Sequence, residues 1–399
     1  MFPLKSTFSA LLISIPLTLP VRALSQSDTR HLLERTAFGG SPRLQQHLML
    51  SGRHESVRYL LNKQARRSPL PRFSKYVPLK NMSGMAKKER RQQLRKEARE
   101  LKFWWLRQMY GSDAPLREVM ALFWHNHFTS SLKKVRRPEL MARQNDLFYE
   151  HGMGNFKTLL YAVAKDPAML IYLDGRANRK NKPNENFARE LLELFTLGEG
   201  HYSETDVQAA ARAFTGWSTN REGKFIFRRR QHDTGQKTFL GQTGPWKGED
   251  ILRILLEQPQ TARWITTRLW LHFISPTPEP KQINLWAKDF QTHWNIQRLL
   301  QQMLSSDAFW EPAHRYTLVK SPVELTLNTM HHKGFSKPQK APWKKIWRWQ
   351  KNWGQDIFDP PNVKGWPTGL AWLDSQRLSQ RQQWTKHFGG ISEDRFQLK

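Results

Sequence analysis

The 399-residue sequence predicts a mainly α, irregular multi-helical single domain with a small β-hairpin insertion. Three observations predict it. Apolar residues recur at the helical period along most of the chain. Proline often stands at the start of such a stretch and glycine at its end. Period-two alternation is confined to one short region near residues 224–240. The length allows a substantial core.

Residues 1–23 read as a secretory signal peptide. Lys5 gives the positive start, 8–19 the short apolar run, and Val21-Arg22-Ala23 a small-residue cleavage site. An uncleaved anchor is the alternative. No twin-arginine pair precedes the run, and no later stretch reaches membrane-spanning length. The expected location is exported, in the periplasm.

From residue 24 to 390 the pattern reads as one helical domain. Residues 28–38 form a helix closed by Gly39-Gly40, and Ser41-Pro42 opens the next. The helical pattern continues over 53–64. A basic loop and helix occupy 63–102: proline breaks 66–78, and 85–110 is a long helix, charged in its first half and apolar in its second. Pro115 starts LREVMALFWHNHF. His125 and His127 lie about 200° apart on an ideal helix, so they share a ligand only where the helix ends or distorts. The adjacent His-Asn-His is not a nuclease signature, whose named residues are scattered through a ββα unit. Lys133 to Arg137 reads as a basic loop. Helices follow at 139–151 and 155–165, and Pro167 opens a short apolar one.

The stretch PNENFARELLELFTLGEGHYSETDVQAAARAFTGW, 183–217, concentrates acid in a basic chain. On a helical wheel Phe187, Ala188, Leu191, Leu192, Leu194 and Phe195 share one side. Glu185, Asn186, Arg189, Glu190 and Glu193 share the other. Asn184 reads as the N-cap, and Gly198 and Gly200 as the stop. Ser203 with Asp206 reads as a capping box for a second, alanine-rich helix. A hairpin insertion is expected over 221–245, with 224–228 pairing 237–240 around a His232–Gly235 turn. Helices resume at 248–257, 260–273, 282–292, 296–305 and 320–331. In 343–353, tryptophans alternate with Lys and Arg, which suits a tryptophan-lined core face. Residues 360–367 form an aromatic-proline loop, 376–387 a last helix, and 391–399 a frayed tail.

The absence of cysteine removes disulfides, thiol catalysis, iron–sulfur ligation and c-type haem attachment. A net charge of +30 suits an anionic partner. Export argues against nucleic acid and for an anionic polysaccharide or envelope surface; a solvated basic surface is the plain alternative. No G-x-S-x-G, Walker loop or dinucleotide fingerprint is present.

Several blocks taken together, LLERTAFG (32–39), FWHNHF (123–128), DPAMLIYLDG (166–175), PNENFARELLELFTLG (183–198), 202–217, HDTGQKTFLG (232–241), Lys320-Ser321-Pro322 and PPNVKGWPTGLAW (360–372), resemble a large bacterial family, domain of unknown function 1800. The resemblance covers nearly the whole mature chain in order. It implies a mostly helical exported protein, often encoded beside a partner exported protein of sulfatase- or phosphatase-like character. It implies no established activity. The basic middle, 66–102, departs from the family pattern.

Two functions follow from the residues. One is a metal-dependent enzyme acting on an anionic envelope polymer. A divalent metal (Zn, Mn or non-haem Fe) would be held by His127, His201, His232 and Asp233. Glu190 or Glu193 would be general base, and Arg189 would neutralise substrate charge. His125, Asp174, Glu185 and Asp206 complete the raw material. The Glu-x-x-His pairs of a di-iron bundle are missing. The other is a non-enzymatic scaffold binding anionic glycan, lipid or a partner exported protein. Against catalysis, Glu185–Arg189 and Arg189–Glu193 are i,i+4 pairs, which an exposed helix uses for about 0.3–0.5 kcal/mol each.

Overall fold

A computed structural model describes residues 23–334 and 341–389. The expected signal segment, apart from Ala23, and the 391–399 tail lie outside the described residues.

The chain begins with α1 (Gln26–Thr36), capped by Ser25, whose Oγ accepts from the Asp28 amide at 3.0 Å. Pro42 at the first turn starts α2 (Pro42–Met49), followed by α3 (Arg53–Asn62). Residues 63–78 carry no regular structure, yet they are not a solvated strap. Arg67 enters the core, where Nε donates to Glu118 Oε1 at 2.8 Å and Nη1 to Asn145 Oδ1 at 2.9 Å and Asp146 Oδ1 at 3.0 Å. Its guanidinium lies 4.0 Å from the Tyr149 ring centroid.

The long helix α4 (Gly84–Gly111) has an exposed first half and a buried second half, Trp104, Trp105, Leu106 and Met109 among it. The next helix, α5 (Pro115–His127), is apolar nearly all round and sits at the centre, touching α1 and α3 as well as α4. Around it run α6 (Leu132–Val135), α7 (Pro138–His151), α8 (Phe156–Ala164) and α9 (Pro167–Tyr172). The short α6 replaces the loop expected at 133–137. Ser131 caps it, Oγ accepting from the Lys133 amide at 3.2 Å.

The acidic segment is α10 (Asn186–Glu190) running directly into a π-helix, Leu191–Thr196. A glycine turn leads to α11 (Glu204–Ala213), which has the expected Ser203–Asp206 capping box. Four short strands follow: β1 (Trp217–Thr219), β2 (Phe225–Phe227), β3 (Lys237–Phe239) and β4 (Gln242–Gly244). Their pairing corrects the expectation. β2 pairs antiparallel with β1, Ser218 opposite Ile226, and β3 with β4, Thr238 opposite Thr243. Each strand takes the neighbour nearest in sequence, which closes the shorter loop. His232–Gly235 connects two separate hairpins.

The remaining helices are α12 (Gly248–Glu257), α13 (Pro259–Phe273), α14 (Pro280–His293), α15 (Ile296–Ser305), α16 (Asp307–Trp310), α17 (Pro322–His332), α18 (Trp343–Asn352) and α19 (Ser375–Gly389). On α18, Trp343 and Ile346 are buried while Lys344, Lys345 and Arg348 are exposed, so its tryptophans do line the core. The N- and C-terminal parts interlock. Lys102 Nζ donates to Asp359 Oδ2 at 2.8 Å and also to Asp356 Oδ1. No helix among the described residues is long and apolar enough to cross a membrane.

Candidate functional site

Asn184 was expected as the N-cap of the acidic helix, but that position falls on Glu185, without a side-chain cap; Asn184 Oδ1 accepts from the Asn186 amide at 3.1 Å just before it. After Glu190 the hydrogen bonding slips to the wider π pattern. Leu197 N donates to Leu192 O at 2.9 Å, and Thr196 Oγ1 donates to Leu191 O at 2.6 Å. A π turn is equivalent to one extra residue in the helix and is frequent at functional sites.

Glu190 and Glu193 are both partly buried here. Burial pushes the Glu190 carboxyl above its ordinary range, and Glu193 adds to the push against Lys364 and Arg189. Tyr202 donates its hydroxyl to Glu193 Oε2 at 3.2 Å. Burial, then the Glu193 charge, raises the Tyr202 phenol to about 12, and burial with Glu190 does the same to Tyr172. Lys364, from the 360–372 loop, lies 3.8 Å from Glu193 Oε1 and 3.2 Å from Glu199 Oε1. The arrangement is a carboxylate pair with one elevated member, two phenols and an exposed cation. It can hold and move a proton. Tyr172, Tyr202 and Lys364 were missed by the wheel, because they come from other elements; each stands in a family block that carried no separate chemical signal.

Arg189 is committed to carboxylates. Nη1 and Nη2 donate to the two oxygens of Glu204 at 2.6 and 2.7 Å, and Nη2 to Glu185 Oε2 at 3.0 Å. The Glu185 pair was expected. Glu204, on α11, takes the place expected for Glu193.

The histidines go elsewhere. His127 reaches the acidic segment from its buried side, Nε2 sharing a hydrogen bond with Phe195 O at 3.1 Å. Burial, with Arg268 adding to it, holds its imidazole down at about 3. His125 is buried among Trp105, Phe358 and Trp366, and burial holds it at about 3. His232 is buried with Nδ1 2.9 Å from Thr215 O. Asp233 Oδ2 accepts from Arg212 Nε at 2.7 Å, and this hydrogen bond first, against burial, lowers its carboxyl. His201 is exposed in the glycine turn. No hydrogen bond or ion pair joins His127 or His232 to Glu190 or Glu193 among the described residues. No group of three or more His, Asp or Glu side chains among the described residues is placed to hold a metal ion. The candidate ligands His127, His201, His232 and Asp233 are therefore not gathered into one set.

The basic middle builds a different surface. At 100° per residue, Lys88, Arg91, Arg95 and Arg99 fall on one side of α4, opposite the buried Arg90, Glu97 and Leu101. The four are exposed and span about 16 Å along the axis, roughly one charge per turn. None has a carboxylate partner within ion-pair distance among the described residues. The ion pair this half of α4 makes, Arg90–Glu97 at 4.0 Å, is on the inner side. α18 packs against α4 and exposes Lys344 and Arg348.

No curated protein and no solved structure matches the chain. The family model described as Protein of unknown function (DUF1800) matches residues 31–397, and the chain belongs to that family.

Proposed function

We propose that this protein is a non-enzymatic binder of a linear anionic polymer, an acidic polysaccharide of the envelope, gripped along the outer face of α4. The row Lys88, Arg91, Arg95 and Arg99 carries the reading. Four cations in line, without carboxylate partners, repel one another until an anion is laid along them. Three are guanidiniums, whose planar fork suits carboxylate and sulfate groups. A lipid surface fits less well, since the exposed side has no broad apolar strip beside the charges. The N-terminal pattern supports export, which makes nucleic acid a poor match.

Binding to heparin or polygalacturonate should weaken steeply between 50 and about 300 mM salt. The triple change Arg91→Glu, Arg95→Glu, Arg99→Glu should abolish it with an unchanged melting temperature. Equal binding by that variant would overturn the proposal, as would a preference for anionic vesicles or duplex DNA over the polysaccharide.

A second reading rests on the raised Glu190 carboxyl beside Glu193 and Lys364. A hydrolase or lyase on the same polymer could use Glu190 as its proton-transfer group. Release of new reducing or unsaturated ends, lost in Glu190→Gln and kept in Glu204→Gln, would favour it over simple binding.

A further inference from the structure

A cleft of about 250 Å³ opens between α1, α5, α13, the start of α17 and the 366–372 loop. It is remote in sequence from the α4 row and draws on separated stretches of the chain. α1 gives Glu34 and Arg35, α13 gives Arg268 and His272, the α17 entry gives Lys320 and Glu324, and the loop gives Trp366 and Trp372.

The charges in this cleft do not cancel. Glu34 is committed: Arg30 Nε donates to it at 2.9 Å and Lys320 Nζ at 3.1 Å. Burial pushes its carboxyl up, but Lys320 and Arg30 together hold it down at about 2. Glu324 Oε2 is engaged as an N-terminal cap, accepting from the Ser321 amide at 2.7 Å. Arg35 and Arg268 have no carboxylate within ion-pair distance among the described residues. The Arg268 Nε is enclosed and without a hydrogen-bond partner. Its guanidinium rests 5.8 Å from the Trp264 ring centroid. Burial holds Arg35 down at about 10 despite the nearby Glu34 and Glu324, and burial lowers Arg268 also. Two partly buried guanidiniums thus face one cleft with their donors under-used. A buried charged donor left unpaired is costly, and an anion in the cleft removes that cost.

The walls narrow the ligand. Phe123, Trp366 and Trp372 line the cleft as buried aromatic residues, and Tyr316 lines it with an exposed ring. Aromatic faces accept the C–H face of a sugar ring, and the volume holds about one such ring. The loop carrying Trp366 is fixed by Asn126, whose Oδ1 accepts from the Trp366 amide at 2.6 Å. We propose that this cleft binds a single acidic sugar, a uronic acid or a sulfated or phosphorylated monosaccharide, with its oxyanion between Arg35 and Arg268 and its ring against the exposed Tyr316. The site does not depend on the α4 row.

The test is calorimetric titration of the full chain with glucuronate, glucose 6-sulfate, glucose 6-phosphate, glucose, inorganic sulfate and inorganic phosphate. At least one acidic sugar should bind at least tenfold more tightly than glucose and than either inorganic ion. Arg35→Gln and Arg268→Gln should each weaken it by tenfold or more. The α4 triple variant should bind it normally, which separates failure here from failure of the polymer proposal. If either arginine variant misfolds, Thr368→Trp, which narrows the cleft from its lining without touching the guanidiniums, should abolish binding. Binding of inorganic ions only, equal binding of glucose, no heat with any sugar, or unaltered affinity in the variants would overturn the proposal.

Discussion

Gly365 and Asn126 show how tightly single residues are constrained around the 360–372 loop. Gly365 has φ 87°, a conformation that suits glycine, and a Cβ there would lie 2.3 Å from Asn126 Oδ1. Gly365→Ala should therefore destabilise more than Asn126→Ala, which removes one hydrogen bond worth about 1 kcal/mol. Chemical denaturation of the two variants measures the order. Arg67 makes a stronger case. Its side chain is 9% exposed and its partner Glu118 is 0% exposed. Arg67→Met leaves a buried carboxylate unpaired, so a loss of about 3–5 kcal/mol is expected. A urea midpoint unchanged by Arg67→Met would mean that the loop is not anchored there. The sequence placed Arg67 in a proline-broken basic loop, and charge and proline describe composition and say nothing of a carboxylate 51 residues later.

Among the elements, helix starts were the most legible feature. Ser41-Pro42, Pro115, Pro167 and the Ser203–Asp206 box all act within one turn of themselves, so local sequence suffices. Ser203→Ala should cost about 1 kcal/mol by opening that box, read as a lowered thermal midpoint. Strand pairing was less legible, because alternation over three or four residues identifies a strand without choosing its partner. The π turn was invisible. Leu191–Thr196 has a good α-helical wheel, and nothing in that wheel reports that His127 meets Phe195 O from another helix. The candidate site divides the same way. Glu190 and Glu193 stood out as acid in a basic chain, whereas Lys364 and the cleft arginines meet their neighbours only through the fold.

Across the whole molecule, buried histidines set the response to acid. Burial is the leading cause that holds His31 and His331 down at about 4, and His125 and His127 down at about 3. All four folded values lie below the ordinary 6.5, so the unfolded chain takes up protons first. The share of stability that these histidines contribute is then present in full above pH 6.5 and is lost as pH falls from there towards 3, while Asp166, raised to about 7 by burial, acts in the opposite sense. Each histidine contributes a slope of up to about 1.4 kcal/mol per pH unit. Acid unfolding should begin below about pH 6.5, and His331→Gln should flatten the profile; a melting temperature constant from pH 7 to 5 would contradict this.

The Lys102 contacts carry a consequence in time. Lys102 meets Asp356 and Asp359 across 254 and 257 residues, and Asn126 meets Trp366 across 240. Both sides of these joints must exist before either can close, and contacts of such separation form slowly. A chain emerging from the ribosome therefore stays unlocked until residues 356–366 have been made. Until that point Lys102 and Asn126 lack the partners that lock them, so the first half of the chain is held only by its own nearer contacts.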